Sequence, residues 1–323
     1  MRRSLVLGLV LLAVSLILAA CGGASGGSTG ARADDSSELV AHFASFDVAV
    51  GDNPRVIVGL LTADAQVVSF GTAIFAFTYL GERDASGPPT AGPTAEASWL
   101  PLPGQEVADP PPRARVVGPG DRTGVYAAHG VRFDAPGYWE VAVRIMVDGK
   151  DETATAMFTV AADHAVLAVG EAAPRTANPL PGTSGVPPAA IDSRAGADGV
   201  VPDPELHATT IADAIAAGRP TMVVVSTPVY CVSRFCGPIT DAVQQLAREH
   251  PSDASFVHLE VWEDYEANRL NPAISGWVVP DNGSDGSEPW VFLVGRDGIV
   301  THRWDNVASE AEMRAALDEV LAQ

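Results

Sequence analysis

Positive charge is scarce in this 323-residue sequence: lysine occurs once, and 20 basic residues stand against 40 acidic ones, a formal net charge of -20. This balance argues against a nucleic-acid partner and against attraction to anionic lipid by charge alone, because both need a basic surface. The composition also argues against disorder, since 47% of the residues are apolar and only 19% are charged. At about 150 residues per domain, the length predicts two domains.

Long apolar runs are also few, and the one near the amino terminus is too short to span a membrane as a helix. It covers residues 5–20 and follows Arg2 and Arg3, whereas a spanning helix needs about 20 residues. A charged start, a short apolar run and small residues at its end are typical of a secretory signal. Residues 1–20 are therefore predicted to be a signal peptide.

The end of this run, Leu18-Ala19-Ala20-Cys21, resembles the lipobox of bacterial lipoproteins. The resemblance implies that Cys21 carries a diacylglyceryl group and begins the mature chain. Each buried acyl CH2 contributes about 0.8 kcal/mol, so this anchor would hold the protein on a bacterial membrane, outside the cytoplasm. The following residues, 21–37, are rich in glycine and serine and predict a flexible tether.

Residues 38–162 show the two-residue periodicity of β-strands. The stretch 139–145 alternates apolar and polar residues, and Asp148-Gly149 after it predicts a hairpin. Several short strands separated by turn signals resemble the immunoglobulin-like sandwiches of secreted proteins. The resemblance implies an all-β domain with a binding or spacing role.

Two details of this domain are predicted from local patterns. The stretch 82–121 is rich in proline and glycine and is expected to form long surface loops interrupted by one short strand. His129 has the same parity as Val125 and Val131 and is expected to face the core, as a hydrogen-bonded histidine rather than a metal ligand.

A change of composition at residues 163–205, which include seven prolines, predicts a linker between the two domains. From residue 206 to 323 the apolar patterns predict a compact sheet with helices on both faces. The predicted helices and strands, in chain order, are 209–217, 221–226, 237–250, 255–261, a hairpin over 289–304, and a closing helix over 309–321.

Within this C-terminal region, Cys236-Gly237-Pro238 opens a helix directly after the first core strand, and Pro289 begins another strand about fifty residues later. This order resembles the thioredoxin superfamily and implies an α/β thioredoxin-like fold. It also implies that Pro289 is a cis-proline that faces the active-site sulfur and shapes a groove for the partner's backbone.

The motif departs from that family in the position of the second cysteine. Ile239 stands where the family's Cys-Gly-Pro-Cys motif has its last cysteine, and Cys231 lies upstream of Cys236 instead. With Cys21 assigned to lipid, these two cysteines are the remaining pair, and an extracytoplasmic compartment favours a disulfide between them. The strand residues 222–225 are wholly apolar, so the acid that the family buries there has no counterpart.

These residues lead to the hypothesis of thiol–disulfide exchange with exported proteins or with another envelope protein. At the first turn of a helix, Cys236 would be favoured as a thiolate and would attack the partner's sulfur. Cys231 would then resolve the mixed disulfide. No cofactor and no resident metal is predicted.

Two alternatives remain open at this point. A disulfide that closes a short loop is often purely structural, which would make the chain a non-catalytic binding or scaffold lipoprotein. The two sulfurs are also soft ligands for Cu(I), as in the Sco-type copper chaperones of the same fold. Those proteins carry a histidine just before the strand that here begins at Pro289, where this chain has Ser287 and Glu288. The remaining candidates, both more typical of ordinary strand residues, are His258 and His302.

Overall fold

The computed structural model describes residues 39–85, 87–105, 112–233, 235–279 and 287–323. The predicted signal peptide, Cys21 and the tether lie outside these residues. The described residues belong to a compact unit, Ser37–Gln323, and none of their helices is long and apolar enough to cross a bilayer. The fold is mostly β-structure, which is consistent with the predicted sandwich.

The first 120 or so described residues form an antiparallel sheet. Its strands are β1 (Leu39–Phe43), β2 (Gly51–Thr62), β3 (Val67–Ser69), β4 (Thr72–Gly81), β5 (Thr90–Pro101), β6 (Arg115–Val117), β7 (Gly124–Phe133), β8 (Gly137–Val147) and β9 (Lys150–Val160). They lie in the order β6-β3-β2-β7-β5-β4-β8-β9, and β1 pairs with β2.

One face of this sheet encloses an apolar core, because alternate residues of each strand point inward. Phe75, Phe133 and Trp139 are among the largest side chains of that core and are fully buried. The predicted hairpin is confirmed between β8 and β9. Its turn residues Asp148 and Gly149 have φ values of 50° and 83°, and a two-residue turn of type I′ requires positive φ at both positions.

The prediction of loops over residues 82–121 is wrong in its centre, where β5 is twelve residues long. β5 lies between β4 and β7 and pairs with both. Its alanines and its glycine have a low intrinsic preference for strands. β5 is nevertheless a strand, because a neighbouring strand pairs with each of its edges, and intrinsic preference does not include that pairing. Pro93 lies where the pairing with β4 shifts register, a position that tolerates a missing N–H.

The prediction that His129 faces the core is also wrong. Val125 and Ala127 point away from the main core, into a smaller cluster that includes Val307, and His129 has the same parity. At Gly130 the backbone takes a φ of 64°, after which Val131 points into the main core. His129 is exposed at the sheet surface, and its Nε2 lies 3.9 Å from Oε1 of Glu312.

The C-terminal part contains a four-stranded mixed sheet. Its strands and the associated helices are α1 (Ile211–Ala216), β10 (Thr221–Ser226), α2 (Cys236–Glu249), β11 (Ser255–Glu260), β14 (Trp290–Val294), β15 (Val300–Asp305) and α3 (Glu310–Leu321), with the short ribbon β12 (Trp262–Asp264) and β13 (Arg269–Leu270) inserted after β11. The strand order is β11-β10-β14-β15, and only β10 and β11 are parallel among these neighbours.

Both faces of the C-terminal sheet are covered, as the sequence predicts. α2 and α3 pack against one face through residues such as Val243 and Leu317. α1 and a 3-10 turn over Pro272–Ile274 lie against the other face. The start of α3 follows directly from the sequence, because Ser309 and Glu312 form a reciprocal capping box that satisfies free N–H groups.

The segment predicted as a linker, 163–205, is more than a spacer. Leu167 and Ala173 are part of the core on one face of the C-terminal sheet. Oδ1 of Asn178 accepts a hydrogen bond of 2.9 Å from the N–H of Ile211, and Asp192 is fully buried. The prolines of this segment lack an N–H donor and have a fixed φ, which disfavours helices and strands. Neither property prevents side chains of the segment from packing against the C-terminal sheet.

Two buried arginines join the nine-stranded sheet to the C-terminal sheet. Arg55 of β2 donates to the backbone oxygen of Asp305 at 2.9 Å and pairs with Glu312 at 3.2 Å. Arg303 of β15 pairs with Asp47 at 2.9 Å. A buried cation is tolerated only when such partners replace water, so these pairs fix how the two sheets meet.

The pair of Asp47 and Arg303 predicts a specific loss of stability. Burial raises the pKa of Asp47, but the hydrogen bond with His164 and the charge of Arg303 outweigh it, so the pKa lies below 3.8. Asp47→Asn should lower the unfolding free energy at pH 7 by about 3 kcal/mol, because it leaves Arg303 buried without its anion. The exposed Asp52, which pairs with Arg132, provides the control Asp52→Asn, with a change below about 0.5 kcal/mol.

The pH dependence of this difference has a definite sign. A carboxylate with a lowered folded pKa stabilises the fold above its unfolded pKa, and the stabilisation is lost as pH falls through the folded pKa. Urea unfolding should therefore show the difference between wild type and Asp47→Asn at pH 7 and its decrease below about pH 4. Equal losses for Asp47→Asn and Asp52→Asn would contradict the role given to the buried pair.

Candidate functional site

The predicted cysteine pair lies between the end of β10 and the start of α2. The N–H of Cys231 bonds to the backbone oxygen of Thr227 at 3.0 Å, which turns the loop back toward the helix. Cys236 is the first residue of α2. The two cysteines form a disulfide with a Cα–Cα distance of 6.1 Å, within the usual span. The predicted bond is therefore confirmed.

The two sulfur-bearing residues differ in exposure. Cys236 is 0% exposed, and its carbonyl accepts a hydrogen bond from the hydroxyl of Thr240 on the next turn of the helix. Cys231 is only half-buried, and its sulfur lies 3.2 Å from the hydroxyl of Ser233. An incoming sulfur can therefore reach Cys231 but not Cys236. The sequence predicts Cys236 as the accessible sulfur, whereas the structure leaves Cys231 as the more accessible one.

The chain next to Pro289 reaches this pair. The Glu288–Pro289 peptide bond is cis, as the resemblance implies, and Pro289 is buried directly before β14. The preceding residue makes the chemical contact: a carboxylate oxygen of Glu288 and the two sulfur atoms all lie within 4.8 Å of one another. Of the predicted site residues, Cys231 and Cys236 are thus brought together, Pro289 follows the acid that lies at their sulfurs, and Cys21 lies outside the described residues.

Glu288 is an acid at the sulfurs that the sequence reasoning did not assign. Burial raises its pKa, and the negative charge of Glu260 raises it further. A carboxyl group with a raised pKa beside a disulfide is suited to accept and return protons during thiol chemistry. The sequence signal for it is its position immediately before Pro289.

Glu260, at the end of β11, is a second acid on the same side of the sheet and is almost completely buried. Its Oε2 accepts a hydrogen bond of 2.8 Å from the N–H of Ser193, and its Oε1 accepts one of 3.3 Å from the N–H of Trp262. Burial raises the pKa of Glu260. β10 itself carries no acid, and the two acids with raised pKa values come from the end of β11 and from the residue before Pro289.

The surface around Cys231 is apolar. Val232 is 94% exposed and Val229 is 54% exposed. The ring of Tyr230 stacks on Tyr265 of the β12–β13 ribbon with a centroid distance of 4.0 Å. Exposed apolar side chains beside a half-buried sulfur can bind an apolar polypeptide segment. Comparison of the chain with protein-family models and with curated proteins finds no match.

The difference in burial predicts which thiol reacts after reduction. With Cys21→Ser removing the third thiol, Cys231 should be alkylated by iodoacetamide at least about tenfold faster than Cys236 in the folded protein, because alkylation needs access. Peptide mass spectrometry of timed samples measures both rates. The same reaction in 8 M urea is the control, in which the two rates should converge. Faster labelling of Cys236 in the folded protein would contradict the assignment.

Proposed function

We propose that this chain is a lipid-anchored, extracytoplasmic lipoprotein that exchanges disulfides with exported proteins. Anchoring through Cys21 rests on the lipobox-like sequence alone. The observation that carries the exchange activity is the disulfide between the half-buried Cys231 and the first residue of α2, with the carboxylate of Glu288 beside it.

The proposal includes the fold classes that the resemblances imply. A thioredoxin-like fold for residues 206–323 is supported by the order of strand, helix, strand, hairpin and helix, with a cysteine at the start of α2. An immunoglobulin-like sandwich for residues 38–162 is supported by antiparallel strands around one apolar core. In this proposal the sandwich supports and spaces the reactive part.

The exchange begins with attack of a substrate thiolate on the sulfur of Cys231. The Cys231–Cys236 bond breaks, and Cys236 leaves as a thiolate at the start of α2, where the free N–H groups and the helix dipole stabilise negative charge. A second substrate thiolate then attacks the substrate sulfur of the mixed disulfide and releases Cys231. Two electrons pass to the cysteine pair, and the reverse sequence reduces a substrate disulfide.

Glu288 is assigned the transfer of protons in this exchange. Each substrate thiol must lose a proton before it attacks, and each released cysteine thiolate can take one up. A carboxylate within 4.8 Å of both sulfurs lies close enough to serve both sites directly or through one water. Apolar contact with Val229 and Val232 would hold an unfolded segment of the substrate against Cys231.

The experiment that tests the exchange is reduction of insulin by dithiothreitol, followed by light scattering, with the full chain carrying Cys21→Ser. Wild-type cysteines at positions 231 and 236 should accelerate the reaction. Cys231→Ser should abolish the acceleration, whereas Cys236→Ser should stop turnover and accumulate a mixed disulfide with insulin on Cys231. A wild-type rate equal to that of dithiothreitol alone would overturn the proposal.

Glu288→Gln gives a separate prediction for the proton transfer. The substitution keeps the size of the side chain but removes the titrating group, so the insulin reduction rate at pH 7 should fall at least about tenfold. The matched control is Glu266→Gln, in the exposed turn of the β12–β13 ribbon, which should leave the rate unchanged. An unchanged rate in Glu288→Gln would remove Glu288 from the mechanism while leaving the cysteines in it.

A second candidate is a non-catalytic scaffold, favoured by the complete burial of Cys236. In that case the pair braces the loop between β10 and α2, with no insulin turnover and a reduction potential below about -300 mV. Copper chaperoning is less well supported. The group beside the sulfurs is the carboxylate of Glu288, a hard oxygen ligand that Cu(I) does not favour.

A further inference from the structure

A second cluster of ionisable side chains lies in the C-terminal part, built by the segment that the sequence predicts as a linker. Asp192 follows a 3-10 turn in this segment, His207 follows another, and His258 lies in β11. Their side chains are 0%, 1% and 0% exposed. Nδ1 of His258 lies 3.3 Å, and Nε2 of His207 3.9 Å, from Oδ2 of Asp192.

The protonation of both rings is fixed by backbone carbonyl groups. Nδ1 of His207 lies 3.1 Å from the carbonyl oxygens of both Pro202 and Asp203. Nε2 of His258 lies 3.1 Å from the carbonyl oxygen of Ser226. Carbonyl oxygens only accept hydrogen bonds, so these nitrogens carry the protons of the neutral rings. The other nitrogen of each ring therefore presents a lone pair to Asp192.

Neither of those nitrogens, Nε2 of His207 and Nδ1 of His258, has a hydrogen-bond partner. Together with Oδ2 of Asp192 they form three electron-pair donors within 4.8 Å of one another. Buried acceptors that face one another are unfavourable unless a cation lies between them. Arg194 donates to Oδ2 of Asp192, but the two ring nitrogens remain without a donor, and a proton or a metal ion between them and Asp192 would satisfy them.

The distances suit a metal ion. Two ligands of tetrahedral Zn2+, each about 2.0–2.1 Å from the metal, lie about 3.4 Å apart, which is close to the 3.3 Å between Asp192 and His258. A histidine that binds metal usually donates its other N–H to a carbonyl or carboxylate, and both histidines do so here. Arg194 donates to Oδ1 of Asp192 at 3.0 Å and to Oδ2 at 2.7 Å, which orients the carboxylate.

We propose that Asp192, His207 and His258 bind one divalent transition metal ion of the Zn2+ type through Oδ2, Nε2 and Nδ1. Two imidazoles and a carboxylate are a ligand set typical of such ions. The ion joins the residues that follow two 3-10 turns, Asp192 and His207, to β11. This site uses neither cysteine and is independent of the proposed disulfide exchange.

The test uses the full chain with Cys21→Ser and with the Cys231–Cys236 disulfide intact, so that no thiol is available to bind metal. The protein is unfolded in urea with a chelator, refolded with or without ZnCl2, freed of unbound metal by gel filtration and analysed for zinc. The expected result is one zinc per chain and a higher melting temperature. When the protein refolds in ZnCl2, the ion can bind before the site is buried. A wild-type protein that retains no zinc after this treatment would therefore overturn the proposal.

Variants assign the bound zinc to these residues. His207→Gln and the isosteric Asp192→Asn should each lower zinc affinity at least about a hundredfold, since even outer residues of metal sites contribute tenfold to a hundredfold. The control is His302→Gln, which alters a half-buried histidine on β15 away from the cluster. Equal zinc retention in all three variants would show that the metal binds elsewhere and overturn the assignment.

A measurement on the wild-type protein tests the metal site without any substitution, so its result does not depend on whether the variants fold. Refolding in CoCl2 in place of zinc should give visible ligand-field absorption of four-coordinate Co2+, without the near-ultraviolet sulfur charge-transfer band that cysteine ligands would add. If Co2+ is not retained, and NMR shows His258 doubly protonated against Asp192 at pH 7, the cluster is a buried ion pair and the proposal is wrong.

Discussion

The structure depends on one constraint, that every charge taken out of water must be given partners. Arg55 and Arg303 are buried between the two sheets, and their carboxylate and carbonyl partners come from distant parts of the chain. Asp192, within the 163–205 segment, is fully buried and is paired with Arg194. Removing one member of such a pair destabilises the fold by more than the intact pair stabilises it, because the remaining charge stays buried without a partner. These pairs therefore specify how sheets and segment fit together.

The same constraint shapes the environment of the disulfide. Ser193, next to Asp192, donates its N–H to Glu260, and its hydroxyl accepts a hydrogen bond from the N–H of Val229 in the cysteine loop. The loop is thus held against the end of β11, close to Glu260 and Glu288, whose pKa values burial raises. Cys231 is half-buried and Cys236 is buried at a helix start, so in the proposed exchange the accessible sulfur and the leaving group are different atoms.

The sequence predicted elements best where local chemistry suffices. The capping box at Ser309, the apolar run of β10 and the turn of the β8–β9 hairpin are each readable within a few residues. Prediction failed where neighbours in space decide the outcome. β5 is poor in residues that favour strands. It forms a strand because β4 pairs with one of its edges and β7 with the other. His129 lies at the surface because its face of β7, shared with Val125 and Ala127, points away from the main core, and the backbone at Gly130 turns only the following residues inward.

The sequence by itself determined the β-strands of the N-terminal part, the pairing of the last two cysteines and the order of the main helices and strands after residue 206, though not the β12–β13 ribbon. Periodicity and turn signals are local, and the cysteine pairing followed from the count of cysteines. Only the tertiary structure decided which sulfur is accessible, that Glu288 lies beside the disulfide, and that His207 and His258 meet Asp192. Burial and distance between residues far apart in the chain are properties of packing, and no local pattern encodes them.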